Sequence, residues 1–289
     1  MEVVDAQLHS WEADRPERRW DPAYGLGSEV EARNRAHHAA RPIGYEELLQ
    51  GMDRAGVDAA LLVTSAVYGS DNSYPLEAAA RHPDRFGVVG RVDPSAADLE
   101  VRVADWRKRG LLGIRLILGN EAERATLRGG GFDRLFRACA AHSVPICLFP
   151  PGILPELGPL AESLPELSLV IDHLGLSQPP LMDAEADPFG RLPELLALAR
   201  YPNIAVKLTA APILSGEPFP FLDLWPHVHR VLAAFGPQRV MWGSDATRTA
   251  ARHSYEEAVA YIRNSSELGA VDKELILGAN LRRIFDWIP

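Results

Sequence analysis

The sequence is poor in cysteine. Only Cys139 and Cys147 occur in 289 residues, and both lie in apolar stretches. Neither a disulfide framework nor a cysteine-type zinc centre is expected from two such residues, and a reducing, cytoplasmic setting is. Excess positive charge is also missing: the formal net charge is −9 and the isoelectric point about 5.5. Nucleic acid and anionic membrane surfaces both require a basic face, so neither is an expected partner. No apolar run approaches the roughly 18 residues of a membrane span. Strand-like sequence begins at Val3, which leaves no room for a charged leader with an apolar centre. Internal repeats and low-complexity tracts are absent too. What remains is a small-molecule protein with a sizeable core, since 47% of the residues are hydrophobic.

Eight short β-rich runs are present: 3–9, 58–65, 86–93, 111–118, 144–150, 167–175, 203–209 and 239–245. Most are continuous apolar stretches ending in a polar residue, the pattern of strands covered on both faces of a parallel sheet. Segments with helical spacing lie between them, such as 44–56, 96–110, 132–143 and 221–236. Two more helical segments, 254–269 and 272–287, follow the last strand. Eight strand–helix pairs in one chain predict a single α/β domain over 1–289, a (β/α)₈ TIM barrel with C-terminal helices. A doubly wound open sheet is the competing architecture, but it usually stops at fewer strands. The longest irregular piece, 14–43, is long for a loop of this fold, and Trp20 and Tyr24 are expected to line a lid there.

In such a barrel, chemistry sits at the carboxyl ends of the strands. Period-two alternation puts Asp5, Gln7 and His9 on one face, with His9 at the mouth. His173 ends strand six in "VIDHLG", and Asp245 ends strand eight in "MWGSD". Arg91, Arg115 and Lys207 are cations inside otherwise apolar strands, where a charge is costly unless paired. Each has a plainer reading. A single strand histidine is more often a hydrogen-bonded core residue than a reactive one. Arg91 can serve as an ion pair with Asp93 or Asp245, and Lys207 as an interior lysine facing a carboxylate. Trp11 and Trp242 suit packing. His37, His38, His82, His142, His227, His229 and His253 read as surface residues of helices and loops. Position lifts the set above its members: His9, His173 and Asp245 fall on strand ends that a barrel brings together. Arg248, Tyr68, Asn72 and Trp11 lie close enough to strand ends to touch a ligand.

The motifs "DAQLHSW", "IDHLG", "VKLTA", "WGSD" and "LILGANLRRIF", in this order, resemble the amidohydrolase-related family, in particular its fuconolactonase-like and pyrone-dicarboxylate lactonase-like branch. The resemblance spans essentially the whole chain. It implies a distorted (β/α)₈ barrel, a possible homodimer and a hydrolase. His9, His173 and Asp245 match the family's second strand-one histidine, its strand-six histidine and its strand-eight aspartate. Two positions depart from the pattern. Gln7 replaces the first strand-one histidine, and strand five offers Cys147 and Phe149 where a bridging ligand would stand. A two-metal site is therefore not expected. A single divalent ion, zinc first, on His9, His173 and Asp245 is one expectation, with Gln7 adding a weak oxygen or holding a water. No metal at all is the other.

Either case suits water addition to an activated carbonyl. Asp245 is the expected general base, and His9 and His173, or a metal they hold, the expected stabilisers of the oxyanion. Arg115, Arg91, Lys207, Gln7, Arg248, Tyr68 and Trp11 are the expected substrate contacts, with the arginines suited to a carboxylate. Opening of a lactone or similar cyclic ester is the expected activity. The alternatives are a metal-dependent decarboxylase of an aromatic or muconate-type acid, and a barrel that binds without turnover.

Overall fold

The eight apolar runs form eight parallel strands in the computed structural model, which describes residues 1–24, 29–179, 182 and 185–288. The strands are β1 (Val4–Leu8), β2 (Ala59–Val63), β3 (Phe86–Gly90), β4 (Leu111–Ile117), β5 (Ile146–Phe149), β6 (Leu169–Ile171), β7 (Ile204–Thr209) and β8 (Val240–Gly243). They hydrogen-bond in sequential order from β1 to β8. Helices cover the outside, so both faces of each strand are buried. That is why the strands read as unbroken apolar runs. The sheet forms a nearly closed (β/α)₈ barrel. Its seam, between β8 and β1, is bridged where the Asp245 N–H donates to the Gln7 carbonyl at 3.0 Å.

Register decides which side chains enter the barrel. Arg115 pairs with Cys147, Cys147 with Val170 and Val170 with Ala205. Partners in register share a face, so this layer lies inside, with Asp172 and Lys207 two residues further toward the mouth. Leu61, Val63, Val89 and Met241 belong to the same interior cluster, with Phe285 and Trp287 of the C-terminal segment.

β1 breaks the expected alternation. Its register against β2 shifts between Asp5 and Leu8. Asp5 pairs with Ala60, which packs toward the helices, whereas Gln7 reaches Lys207 inside the barrel. A bulge re-aims side chains in this way, so Asp5 does not share the Gln7 face. The 14–43 segment is also more ordered than the sequence suggests, with a helix over Glu29–Ala40. Trp20 is buried and donates its indole N–H to the Glu12 carbonyl. Among the described residues, no helix is long and apolar enough to cross a membrane.

Candidate active site

Four strand ends supply a connected polar network. Asp172, fully buried after β6, forms ion pairs with two cations: Lys207 Nζ at 3.0 Å and Arg115 Nε at 2.8 Å. Lys207 Nζ also donates to Gln7 Oε1 at 2.9 Å. That contact fixes the amide, because the flipped orientation would set an NH₂ against an ammonium. Gln7 Nε2 therefore faces His9 Nε2, 3.2 Å away, and donates to it. His9 then carries its proton on Nδ1, which donates to the Val63 carbonyl at 2.8 Å. Both nitrogens of His9 are thereby used.

His173 is held differently. Thr209 Oγ1 accepts the His173 backbone N–H at 3.0 Å and lies 3.0 Å from Nδ1. Among the described residues, Nδ1 is the acceptor available to the Thr209 hydroxyl proton. That leaves His173 with an N–H at Nε2, which has no hydrogen-bond partner. Phe149 packs edge-on against the ring, with centroids 5.1 Å apart.

Asp245 lies between the two imidazoles. Oδ1 is 3.7 Å from His9 Nε2, Oδ2 is 3.9 Å from His173 Nε2 and 3.8 Å from Arg248, and Oδ1 has no hydrogen-bond partner. The backbone is strained at both key residues: φ is +53° at His173 and +49° at Asp245. Left-handed conformations cost non-glycine residues about 1–3 kcal/mol each and persist where the surroundings over-determine them. Gly243 has to be glycine here. A Cβ would fall 2.3 Å from Thr209 Cγ2 and 3.2 Å from the Gln7 nitrogen.

Burial sets the protonation states. Desolvation, then the charges of Arg115 and Arg248, hold His9 and His173 well below the ordinary histidine range, so both are neutral. Burial pushes Asp245 up to about 7, opposed by Arg248 and Arg115 and reinforced by Asp5 and Asp172. This is a carboxylate poised to exchange a proton near neutrality. The Tyr24 hydroxyl lies 3.0 Å from His38 Nδ1. Burial raises this hydroxyl to about 12 against the pull of Arg248, Arg35 and Arg91.

The family model described as Amidohydrolase matches residues 4–287. The chain belongs to the amidohydrolase family. The family match and the names of its lactone-hydrolysing relatives together indicate a hydrolase. The chain is 28% identical over 244 residues to an L-fucono-1,5-lactonase of Burkholderia ambifaria, covering 84% of this chain and 79% of that one. It is 28% identical over 203 residues to a 4-sulfomuconolactone hydrolase of Hydrogenophaga intermedia, covering 70% of this chain and 64% of the relative. A solved amidohydrolase of Burkholderia multivorans with bound zinc superposes with a TM-score of 0.80 at 26% identity, with both chains fully covered.

The donor set of this amidohydrolase does not fit a resident divalent ion. A metal would need the lone pair of His9 Nε2, and that lone pair accepts the Gln7 amide. Gln7 cannot turn its oxygen to the site while Lys207 holds it, and the ammonium itself repels a second cation. Among the described residues, no group of three His, Cys, Asp or Glu side chains is disposed to hold an ion. His9, His173 and Asp245 do converge, as their strand-end positions suggest, at 3.7 and 3.9 Å between Asp245 and the two imidazoles.

Other expected contacts of this amidohydrolase are placed elsewhere. Lys207 is fully buried with its ammonium engaged, so it supports Gln7 instead of meeting substrate. Trp11 is fully buried, and its indole N–H donates to the His38 carbonyl. Tyr68 is buried, and its hydroxyl accepts the Glu12 N–H at 2.9 Å. Asn72 ties β2 to β3 through Thr64 and the backbone of Arg91. Arg91 pairs with neither Asp93 nor Asp245; Asp93 accepts from Ser95 instead. His38 and His253 are buried, not surface residues. Sequence reasoning missed Asp172 and Thr209 as partners. Asp172 carried a usable signal, a charge in an apolar strand, the feature that singled out Arg115 and Lys207. Thr209 carried none.

Proposed function

We propose that the enzyme hydrolyses a lactone bearing an anionic substituent, with Asp245 as the base and no resident metal. The observation that carries this reading is the buried Asp245 carboxylate at the mouth: Oδ1, beside His9, has no hydrogen-bond partner, and Oδ2 lies beside His173 and Arg248. Water placed against Asp245 loses a proton to the carboxylate as its oxygen attacks the lactone carbonyl. The oxyanion that forms is met by the free N–H of His173 and by Arg115 and Arg248. On collapse, the C–O ring bond breaks, and the leaving oxygen takes the proton back from Asp245. His9 has no free N–H to offer, so the oxyanion role expected for it from its position passes to His173. An ester with a good leaving group does not need a metal as electrophile.

Charge supports an anionic substrate. Arg115 and Lys207 share one carboxylate, Asp172, and among the described residues Asp245 is the carboxylate that Arg248 approaches. Among the described residues, no carboxylate lies within 4 Å of Arg91. The mouth therefore has cationic capacity to spare for a carboxylate or sulfonate. Both relatives carry names of lactone-opening enzymes, one of them for a sulfonated lactone. The decarboxylase alternative requires a bound metal, which the donor set does not accommodate.

The test is a panel of lactones with and without an anionic substituent, followed by acid release and by NMR of the ring-opened product, with and without chelator. Anionic lactones should show the highest kcat/KM, and chelation should leave it unchanged. Carbon dioxide release from an aromatic acid, with no lactone opened, would overturn the reading.

A further inference from the structure

Asp5 is a fully buried carboxylate outside the site just described, and among the described residues no cation pairs with it. It is satisfied entirely by neutral donors. Oδ1 accepts the backbone N–H of Gln7 at 2.9 Å and of Ser244 at 3.0 Å. Oδ2 accepts the Ser244 hydroxyl and, at 2.8 Å, the hydroxyl of Tyr255. Ser244 Oγ in turn accepts the Ala246 N–H at 3.0 Å. Tyr255 begins the helix Tyr255–Arg263 packed outside the barrel. These contacts gather three features at one point: the β1 bulge that turns Gln7 inward, the seam between β8 and β1, and the turn 244–246 that carries Asp245.

We propose that Asp5, Ser244 and Tyr255 are positioning residues, a clamp at the barrel seam that holds the base Asp245 in its left-handed conformation facing the mouth. The argument is one of necessity. A buried carboxylate without a cation is costly, and an apolar residue would fill the space without that cost. Asp245 keeps a positive φ that the turn would otherwise relax. Its own N–H is committed across the seam to the Gln7 carbonyl, and the clamp fixes the residues on either side, Ser244 and Ala246. Gly243 gives Asp5 its approach: a Cβ there would lie 3.2 Å from Asp5 Oδ1. The clamp touches no substrate atom; it acts through the geometry of Asp245.

The proposal rests on Asp245 being the base, so its test has two parts. Ser244→Ala removes the hydroxyl that links Asp5 to Ala246, and Asp5→Asn keeps the shape but removes the charge. Tyr255→Phe removes one donor. On a lactone that the wild type opens, Ser244→Ala and Asp5→Asn should lower kcat about 10- to 100-fold with KM little changed, as expected for a misplaced reacting group. Tyr255→Phe should lower it less. Melting temperatures show whether each variant is folded at the assay temperature. Unchanged kcat, or a loss carried by KM alone, overturns the proposal and leaves the lactonase reading intact. The second part is a crystal structure of Ser244→Ala, which needs no activity. The turn 244–246 should be rearranged, with Asp245 out of its positive φ. An unchanged turn overturns the clamp whether or not the wild type opens any lactone.

Discussion

The β1 side of the site and the β6–β7 side look alike and act differently. Each presents an imidazole to one oxygen of Asp245, at 3.7 Å from His9 and 3.9 Å from His173. On the β1 side the ring is closed off, with Val63 on Nδ1 and Gln7 on Nε2. On the β6–β7 side Thr209 engages only Nδ1. One histidine is a saturated wall; the other is a donor waiting for an acceptor. The difference originates away from both rings, in Lys207, which orients Gln7, and in Thr209, which spends its proton on His173. Two residues of the same type at equivalent strand ends thus acquire different chemistry from their second hydrogen bond.

The largest expected effect removes what the two sides share. Asp245→Asn should lower lactone turnover by at least about 10²-fold, the scale of a lost general base. In the wild type, kcat/KM should fall as pH drops through about 7, where Asp245 takes up its proton. Both imidazoles stay neutral across that range, so they add no opposing limb. A variant with near-wild-type turnover would end the assignment. Next comes the comparison itself. His173→Ala removes a donor to the oxyanion and should cost about 10²–10³ in kcat. His9→Ala removes a wall but no free donor and should cost about an order of magnitude less. The opposite ranking, measured in the same assay, would show that His9 carries the proton.

The strands were legible because burial on both faces leaves an unbroken apolar run, and the strand-end rule then pointed to His9, His173 and Asp245. Arg115 was legible as a charge in an apolar strand. What could not be read depends on contacts far apart in sequence. Asp5 meets Ser244 and Tyr255 some 240–250 residues away. The β1 bulge leaves no mark in the period-two pattern, so Asp5 reads as a neighbour of Gln7 when it points toward the helices. Left-handed backbone at His173 and Asp245 is equally silent, because neither is glycine. The helix Glu29–Ala40 was missed because it consists mainly of alanine and polar residues, without an apolar stripe. His38, on that helix, was read as surface for the same reason.

Metal affinity sharpens the contrast from the β1 side. From the sequence, Gln7→His alone should restore a ligand and raise metal content. The structure revises this, because Lys207 Nζ sits 2.9 Å from the Gln7 oxygen and would face the new imidazole. Gln7→His should therefore remain substoichiometric in zinc by elemental analysis. Gln7→His with Lys207→Met, which removes the competing ammonium, should take up more. Full occupancy in the single variant would mean that Lys207 does not guard the site.

The smallest effect concerns how the β1 side is anchored beyond His9. Glu12 follows that strand, and its N–H donates to the Tyr68 hydroxyl. The Tyr68 ring packs against Tyr74 at 5.8 Å between centroids, which fixes it independently of the hydroxyl. Tyr68→Phe keeps that packing and removes only the acceptor, leaving a partly buried N–H without its partner. The expected cost is about 1 kcal/mol of stability, seen as a lower melting temperature. With the ring in place and His9 still held by Val63 and Gln7, kcat and KM should stay near wild type. A rise in KM with unchanged stability would instead return Tyr68 to the substrate, and would mean that the β1 side reaches the ligand after all.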